Sequence, residues 1–298
     1  MPDTWFVRPA GTAGTAEAAP EGPLTAAELK ARAADGRVTA STPVSPDGKE
    51  WVTAGEVEGL LPAQAATASE RLALEMVGVA KSYGRDTPAV VRVDRFALRP
   101  GEQVVLAGPS GSGKTTLLNL IAGLLPPDAG TIRIDGTDIT ALSGAARDRF
   151  RGGRVGIVFQ TFNLVQGLSA ENNLLLAMMF GPLPASAHRA RAAELLARVG
   201  LAEHAHKRPA QLSVGQQQRV AIARALANRP ALVLADEPAA NLDEPNARKA
   251  ADLLKGVCRE AGATLLVVAH DAVMRSAFDR VIDISTFKGV GSGESGVG

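Results

Sequence analysis

The sequence predicts an α/β fold: a parallel-sheet domain interrupted by a helical block and preceded by a small α+β domain. Three observations carry this. Short apolar runs at 104–107, 155–159, 232–235 and 265–269 have the length and continuity of strands buried on both faces. Between Ala170 and Ala227 that rhythm stops, and 188–199 and 216–227 show helical spacing instead, the first ending at Gly200. Residues 1–61 differ in charge, with nine acids and five bases (net −4) and both tryptophans, Trp5 and Trp51. Residues 62–298 carry 27 bases and 22 acids, net +5.

A chain of 298 residues has room for about two domains. With 46% hydrophobic and 21% charged residues, disorder across the whole chain is excluded. The longest apolar stretches, 174–180 and 265–269, fall short of the roughly 18 residues of a membrane span. No basic start followed by an apolar stretch opens the chain, so no signal peptide is expected. Cys258 is the only cysteine, which excludes an intrachain disulfide and argues against a cysteine metal site. The net charge of +1 argues against a dedicated nucleic-acid binder.

Along the chain, Trp5-Phe6-Val7 reads as a short strand. Gly22-Pro23-Leu24-Thr25 reads as a turn into a helix over 26–34, capped by Thr25 with Glu28 three residues on and stopped at Gly36. Val38, Val44 and Trp51 suggest further short strands. Residues 62–71 read as a small-residue linker and 286–298 as a flexible Gly/Ser-rich tail. In the large domain the strand at 104–107 runs into glycines and then a helix through Asn119. Residues 131–134, followed by Asp135-Gly136, form a strand and a turn.

The most specific motif sits at that strand–glycine–helix junction. Gly108-Pro109-Ser110-Gly111-Ser112-Gly113-Lys114-Thr115, followed by Thr116, fits G-x-x-x-x-G-K-[ST]. Glycines let consecutive backbone N–H groups curl around phosphate oxygens at a helix N-terminus. Lys114 supplies a point charge to the β- and γ-phosphates, and the Thr115 hydroxyl can ligate Mg²⁺. A second motif, Leu232-Val233-Leu234-Ala235-Asp236-Glu237-Pro238, ends an apolar strand in two carboxylates, at the edge where parallel α/β sheets bind ligands. Asp236 would hold Mg²⁺ and Glu237 could polarise an attacking water. Taken alone, the pair would read as a surface turn.

Further motifs follow in order. Leu212-Ser213-Val214-Gly215-Gln216-Gln217-Gln218-Arg219-Val220 opens a helix at Ser213. Gln160 follows Val158-Phe159. Asn241-Leu242-Asp243 lies beyond the two carboxylates. His270 ends Val267-Val268-Ala269-His270-Asp271, and Tyr83, in Lys81-Ser82-Tyr83-Gly84, is the only tyrosine. Singly, these would read as a helix cap, a surface glutamine, a strand-end histidine and a packing aromatic. Their joint occurrence decides. Over about 72–285 the chain resembles an ATP-binding-cassette (ABC) ATPase.

That resemblance implies a RecA-like core, an antiparallel β subdomain and a helical signature subdomain. It implies ATP and Mg²⁺ as cofactors. ATP would be held by Tyr83 (stacking on adenine), Gly108, Pro109, Ser110, Gly111, Ser112, Gly113, Lys114, Thr115 and Thr116. Ser213, Gly215, Gln216 and Asp243 would face the nucleotide of a second protomer, making a homodimer. Mg²⁺ would lie on Thr115, Gln160 and Asp236. Hydrolysis would fall to Glu237, His270, Gln160 and Lys114. The implied function is the ATP-hydrolysing subunit of a transporter, peripheral on the cytoplasmic face of the cell membrane.

The segment 159–173 is similar to the lipoprotein-releasing and macrolide-exporting branch, whose membrane subunits have four transmembrane helices. In that reading Phe162, Leu164 and Val165 dock the permease; the alternative is an ordinary loop entering the helical block. Ala239 and Ala240 depart from the Thr-Gly of that branch, and Val214 from the signature glycine. Neither departure removes a catalytic group. Residues 1–61 resemble the second GYF type through Gly22-Pro23, Glu28-Leu29, Gly36-Arg37-Val38, Trp51 and Ala54-Gly55-Glu56-Val57, though the Gly-Tyr-Phe triplet is absent. The resemblance implies capture of a proline-rich peptide on aromatic side chains. The two tryptophans read equally as binding surface or as core of a small domain.

Two other classes fit the sequence less well. A soluble ABC-type ATPase acting on DNA would carry a heptad arm, but only 97 residues, without heptads, separate Lys114 from Leu212. Ribosome-acting members usually carry two cassettes, and this chain has one. A non-hydrolysing interaction protein is argued against by the intact Lys114, Asp236, Glu237 and His270. No nucleic-acid partner is expected.

Overall fold

The computed structural model describes residues 4–7, 20–34, 38, 42–49, 51–54, 57, 72–84, 87–240 and 242–287. The chain divides into two compact units, Met1–Glu70 and Arg71–Gly298.

In the first unit, strands β1 (Trp5–Val7) and β2 (Glu21–Leu24), helix α1 (Ala26–Ala34) and strands β3 (Pro43–Ser45) and β4 (Val52–Thr53) make a sheet ordered β2-β1-β3-β4. Its pairs are antiparallel. The expected turn at Gly22-Pro23 is instead part of β2. As an edge strand it tolerates a proline, whose missing N–H costs no ladder bond on the open side. The capping box at α1 is present: Glu28 N donates to Thr25 Oγ1 at 3.2 Å and Thr25 N to Glu28 Oε2 at 2.8 Å. Trp5, Val7, Leu29, Val38, Val44 and Ala54 form the core. Val38 is therefore a core residue outside any strand. Trp51 directly precedes β4 and is half-buried. Gly36, the linker between 62 and 71, and the tail from 288 onward lie outside the described residues.

The second unit opens with β5 (Leu74–Lys81), β6 (Val91–Leu98), β7 (Gln103–Ala107), α2 (Lys114–Ile121), β8 (Ala129–Ile134) and β9 (Thr137–Asp138). It continues through α3 (Gly144–Arg154), β10 (Val155–Val158), α4 (Ala170–Met178), α5 (Ala185–Arg198) and α6 (Val214–Ala225). It closes with β11 (Leu232–Asp236), α7 (Glu244–Glu260), β12 (Thr264–Ala269), α8 (Ala272–Ser276) and β13 (Arg280–Asp283). Two sheets result: a parallel one ordered β10-β11-β12-β7-β13 and an antiparallel one ordered β6-β5-β8-β9. No strand lies between Ala170 and Ala227; α4, α5 and α6 fill that interval.

The strands β10, β11, β12 and β7 are largely apolar because both their faces are covered, whereas the edge strand β13 is mostly exposed. Val105, Val233, Ala235, Leu265 and Val267 face one core with α4, α5, α6 and α7. Val104, Leu106, Leu232, Leu234, Leu266 and Val268 face the other, shared with α2 and the antiparallel sheet. That sheet turns on two glycines. Gly130 has φ +83°, and a Cβ there would lie 2.4 Å from the Gly78 carbonyl, where β5 and β8 shift register. Polar N-caps start the helices: Ser143, Ser169, Ser213, Asp243 and Asp271 each accept from a backbone N–H in the first turn. Thr286 and Phe287, assigned from sequence to the tail, belong to the fold. Thr286 ends a 3₁₀ turn, and the buried Phe287 ring meets Phe96 edge-on at 5.3 Å.

Candidate active site

The phosphate-type loop leaves the C-terminal end of β7 and enters α2. Gly113 has φ +87°, and a Cβ there would lie 2.8 Å from the Val90 carbonyl oxygen, so only glycine fits this corner. No side chain caps α2 at Gly113. Its first-turn N–H groups therefore have no side-chain cap, and Ser110, Gly111 and Gly113 line the cleft in front of them. Lys114 is 5% exposed, and its ammonium folds back onto Gly108 O at 2.9 Å and Pro109 O at 2.7 Å. The loop thus holds the charge in place by its own carbonyls. The Ser112 hydroxyl donates to Pro109 O at 2.7 Å.

Parallel register assembles the rest. In β11 and β12, Asp236 lies level with Val268, so Glu237 and His270 leave adjacent strand ends. His270 Nδ1 sits 2.8 Å from Glu237 Oε1. Glu237 has φ +43°, a left-handed conformation that costs a non-glycine residue about 1–3 kcal/mol. Its N–H donates to Val268 O at 2.8 Å and its carbonyl accepts from Ala240 N at 3.2 Å. The Thr115 hydroxyl donates to Asp236 Oδ2 at 3.3 Å. Burial raises the Asp236 carboxyl above its ordinary range. The neighbouring Glu237 charge adds to this, while the Thr115 hydrogen bond and Lys114 pull the other way. Gln160 follows β10 on the far side of β11. Together Ser110, Gly111, Gly113, Lys114, Thr115, Thr116, Gln160, Asp236 and Glu237 line one cleft of ≈ 380 Å³ at the carboxyl ends of the strands. Tyr83 stands beside it, 66% exposed, its hydroxyl 3.1 Å from Thr116 Oγ1.

The remaining expected residues lie elsewhere on the chain. Ser213 and Gly215 line a separate cleft with Val214, Leu242 and Lys249. Ser213 Oγ accepts from Gln216 N at 3.3 Å, and Gln216 Oε1 accepts from Ser213 N at 3.0 Å. Asp243 caps α7, accepting from Asn246 N at 3.3 Å. Val214, at the signature's altered position, is 49% exposed. Asn241 lies outside the described residues.

The loop after Gln160 corrects one expectation. Leu164 is buried in the core and Phe162 packs against it, because the backbone at Phe162 and Asn163 turns left-handed and folds inward. Of the three expected docking side chains only Val165 is largely exposed. It lies on the same loop as Asn163, which lines a groove with Leu124, Phe159 and Phe180. In the first unit, Trp5 is core, leaving Phe6 and Trp51 as its partly exposed aromatics.

Several polar side chains that hold these loops were not legible from the motifs. The buried Asn173 amide bonds Val165 N, Val165 O, Leu168 O and Ser169 O. Arg224 donates to Phe162 O at 2.7 Å and Asn163 O at 2.5 Å. Gln218 donates to Pro238 O at 2.5 Å. The available signal was a polar residue at a core-facing helical position.

Comparison with known proteins identifies the family. The sequence model of the family described as "ABC transporter" matches residues 91–240, and that described as "GYF domain 2" matches 15–60. An uncharacterised ABC transporter ATP-binding protein of Mycobacterium bovis is 44% identical over 204 residues, 68% of this chain and 62% of its own length. The chain thus spans under two thirds of the mycobacterial relatives it matches. The lipoprotein-releasing system ATP-binding protein LolD of Pseudomonas fluorescens is 39% identical over 72% of this chain and 96% of its own. A dimeric ATP-binding cassette in a post-hydrolysis state with ADP and Pi superposes with a TM-score of 0.63 at 38% identity, covering 70% of this chain and 93% of that one. Sequence, fold and the placement of the phosphate-type loop against Asp236 and Glu237 agree: the chain belongs to the ABC transporter ATP-binding family.

Proposed function

We propose that this chain binds ATP with Mg²⁺ and hydrolyses it as the nucleotide-binding subunit of an ABC transporter. It would work as a homodimer on the cytoplasmic face of the membrane. One observation carries the reading. A single cleft gathers Lys114, Thr115, Gln160, Asp236 and Glu237, while Ser213 and Gly215 line a different cleft of the same chain. A second copy, related by a two-fold axis, supplies the missing half.

In this reading the backbone of 108–113 and Lys114 cradle the phosphates, with Lys114 exchanging the Gly108 and Pro109 carbonyls for phosphate oxygens. Tyr83 stacks on adenine. Thr115, Asp236 and Gln160 offer hydroxyl, carboxylate and amide oxygens, the hard donor set that Mg²⁺ takes. When bound, the metal neutralises phosphate charge. Glu237 accepts the proton of the attacking water, oriented by Gln160. His270, on Glu237 at 2.8 Å, holds that carboxylate and reaches the γ-phosphate. Ser213, Gly215 and Gln216 of one chain meet the γ-phosphate of the other, with Asp243 beside them.

The likeness to LolD and the loop at 159–173 support a permease of the four-helix type. We assign its docking to the exposed Val165 and the adjoining groove lined by Leu124, Phe159 and Phe180, with Arg151 and Arg224. No helix among the described residues is long and apolar enough to cross a membrane, which supports a peripheral location. The first unit would capture a proline-rich peptide through its partly exposed aromatics, Phe6 and Trp51, rather than through the buried Trp5. Phosphate release from the full chain with Mg-ATP tests the central reading. Turnover by the wild type and its loss in Glu237→Gln are expected; a wild-type chain without turnover overturns it.

A further inference from the structure

The geometry points to Gln218 as a positioning residue for hydrolysis: its side-chain amide fixes the backbone turn that aims Glu237. The inference rests on the reading of Glu237 as the base. Gln218 is 3% exposed, so its amide has protein partners or none. Its Nε2 donates to Pro238 O, the carbonyl immediately after Glu237, at 2.5 Å. The turn it grips is left-handed at Glu237 and needs support from surrounding bonds. Three bonds supply it: Glu237 N to Val268 O from β12, Ala240 N to Glu237 O within the turn, and the Gln218 amide from α6.

Packing alone does not call for an amide there. The other buried side chains of α6 are Val220, Ala221, Ile222, Ala223 and Ala225, and an apolar residue would fill the position. A buried polar side chain is costly unless bonded, and here the bond goes to the backbone of the catalytic turn. Gln218 also rides on the helix that Ser213 caps. The element that presents Ser213 to a second copy is therefore the element that holds Glu237 in its own chain.

The test uses the full chain and two variants. Gln218→Met keeps length and removes the N–H donor; Gln218→Glu puts an acceptor against Pro238 O. Rates are counted per nucleotide-binding site, so unfolded chain does not enter. For both variants kcat is expected to fall about 10- to 100-fold. KM for ATP is expected to change less than kcat, because Gln218 makes no bond to 108–116 or Tyr83, although it lines the Ser213 cleft. In Gln218→Glu a protonated carboxyl can donate again, so its kcat relative to wild type is expected to rise as pH falls. In a Glu237→Gln background, Gln218→Met is expected to lower residual turnover no further. A kcat within about twofold of wild type in both variants overturns the inference, as does a pH-independent ratio for Gln218→Glu. Either result, with the wild type active, leaves the ATPase reading standing. An inactive wild type would instead remove the reading on which this inference rests.

Discussion

Truncating Tyr83 separates nucleotide recognition from folding. The residue is 66% exposed, and its hydroxyl shares a hydrogen bond with Thr116 Oγ1 at 3.1 Å. Tyr83→Ala therefore removes little native packing, and the thermal midpoint is expected to stay near that of wild type. The two thirds of the residue still open to solvent is what an adenine ring would cover. Base–aromatic stacking is worth about 1–3 kcal/mol, which corresponds to a rise in KM for ATP of about 5- to 150-fold. Tyr83→Phe keeps the ring and loses only the hydroxyl bond, whose net worth starts near 0.5 kcal/mol. Its KM is expected to stay within about threefold of wild type. The assay is phosphate release against ATP concentration, with thermal melts of the same preparations. An unchanged KM in Tyr83→Ala refutes the stacking role and returns Tyr83 to a loop residue tied to α2. Equal losses in both variants would place the function in the hydroxyl instead.

Two further predictions concern titratable groups. Burial and the Glu237 charge raise the Asp236 carboxyl, so the folded chain holds that proton to higher pH than the unfolded chain does. The group's stability contribution is full below the ordinary value of 3.8 and is lost as pH rises through its folded value. Nucleotide-free Asp236→Asn is therefore expected to melt above wild type at pH ~7, with the gap closing in acid; a lower midpoint at neutral pH contradicts this. Cys258 is wholly buried in α7, and burial pushes its thiol up to about 12. A thiol reagent at pH ~8 should react at least about 1,000-fold more slowly with the native chain than in denaturant, since reaction must wait for an opening. Comparable rates would contradict the packing of α7.

The parallel core was legible because its strands are buried on both faces and read as unbroken apolar runs. Of the antiparallel sheet only β8 was legible as a pattern, the strand before Asp135-Gly136, and the rest came only through the resemblance. In β6 the buried positions Val91, Val93, Phe96 and Leu98 are interrupted by two consecutive exposed residues, Asp94 and Arg95, which breaks the period of two. In α7 the buried positions Ala247, Ala250, Ala251, Leu254, Val257 and Cys258 recur at helical spacing, so this helix is written in the sequence, with small alanines over the first half of its buried face. The edge strand β2 was hidden by Gly22-Pro23, which signals a turn wherever the sheet context is unknown. The phosphate-type loop was nameable by itself because chemistry fixes its residue types and spacing, whereas Asp236, Glu237, Gln160 and His270 were nameable only through their joint occurrence in order. The side chains that hold the neighbouring backbone, Asn173 and Arg224 on the 162–169 loop and Gln218 at Pro238, have roles that depend on which carbonyls the fold brings within reach. Likewise the sequence placed Phe162, Leu164 and Val165 together, and only the left-handed backbone at Phe162 and Asn163 decides which of them faces outward.

The central claim is that two chains complete each other's nucleotide sites, and sedimentation of Glu237→Gln with saturating Mg-ATP tests it most directly. Without hydrolysis the bound nucleotide keeps its γ-phosphate, so the cleft holding Lys114 and the cleft holding Ser213 can close on it from two chains. A nucleotide-dependent dimer is predicted, absent without ATP. It should be lost on adding Ser213→Arg, while each chain still binds ATP. A Glu237→Gln chain that stays monomeric with ATP bound, or one that dimerises equally with Ser213→Arg present, would contradict the account.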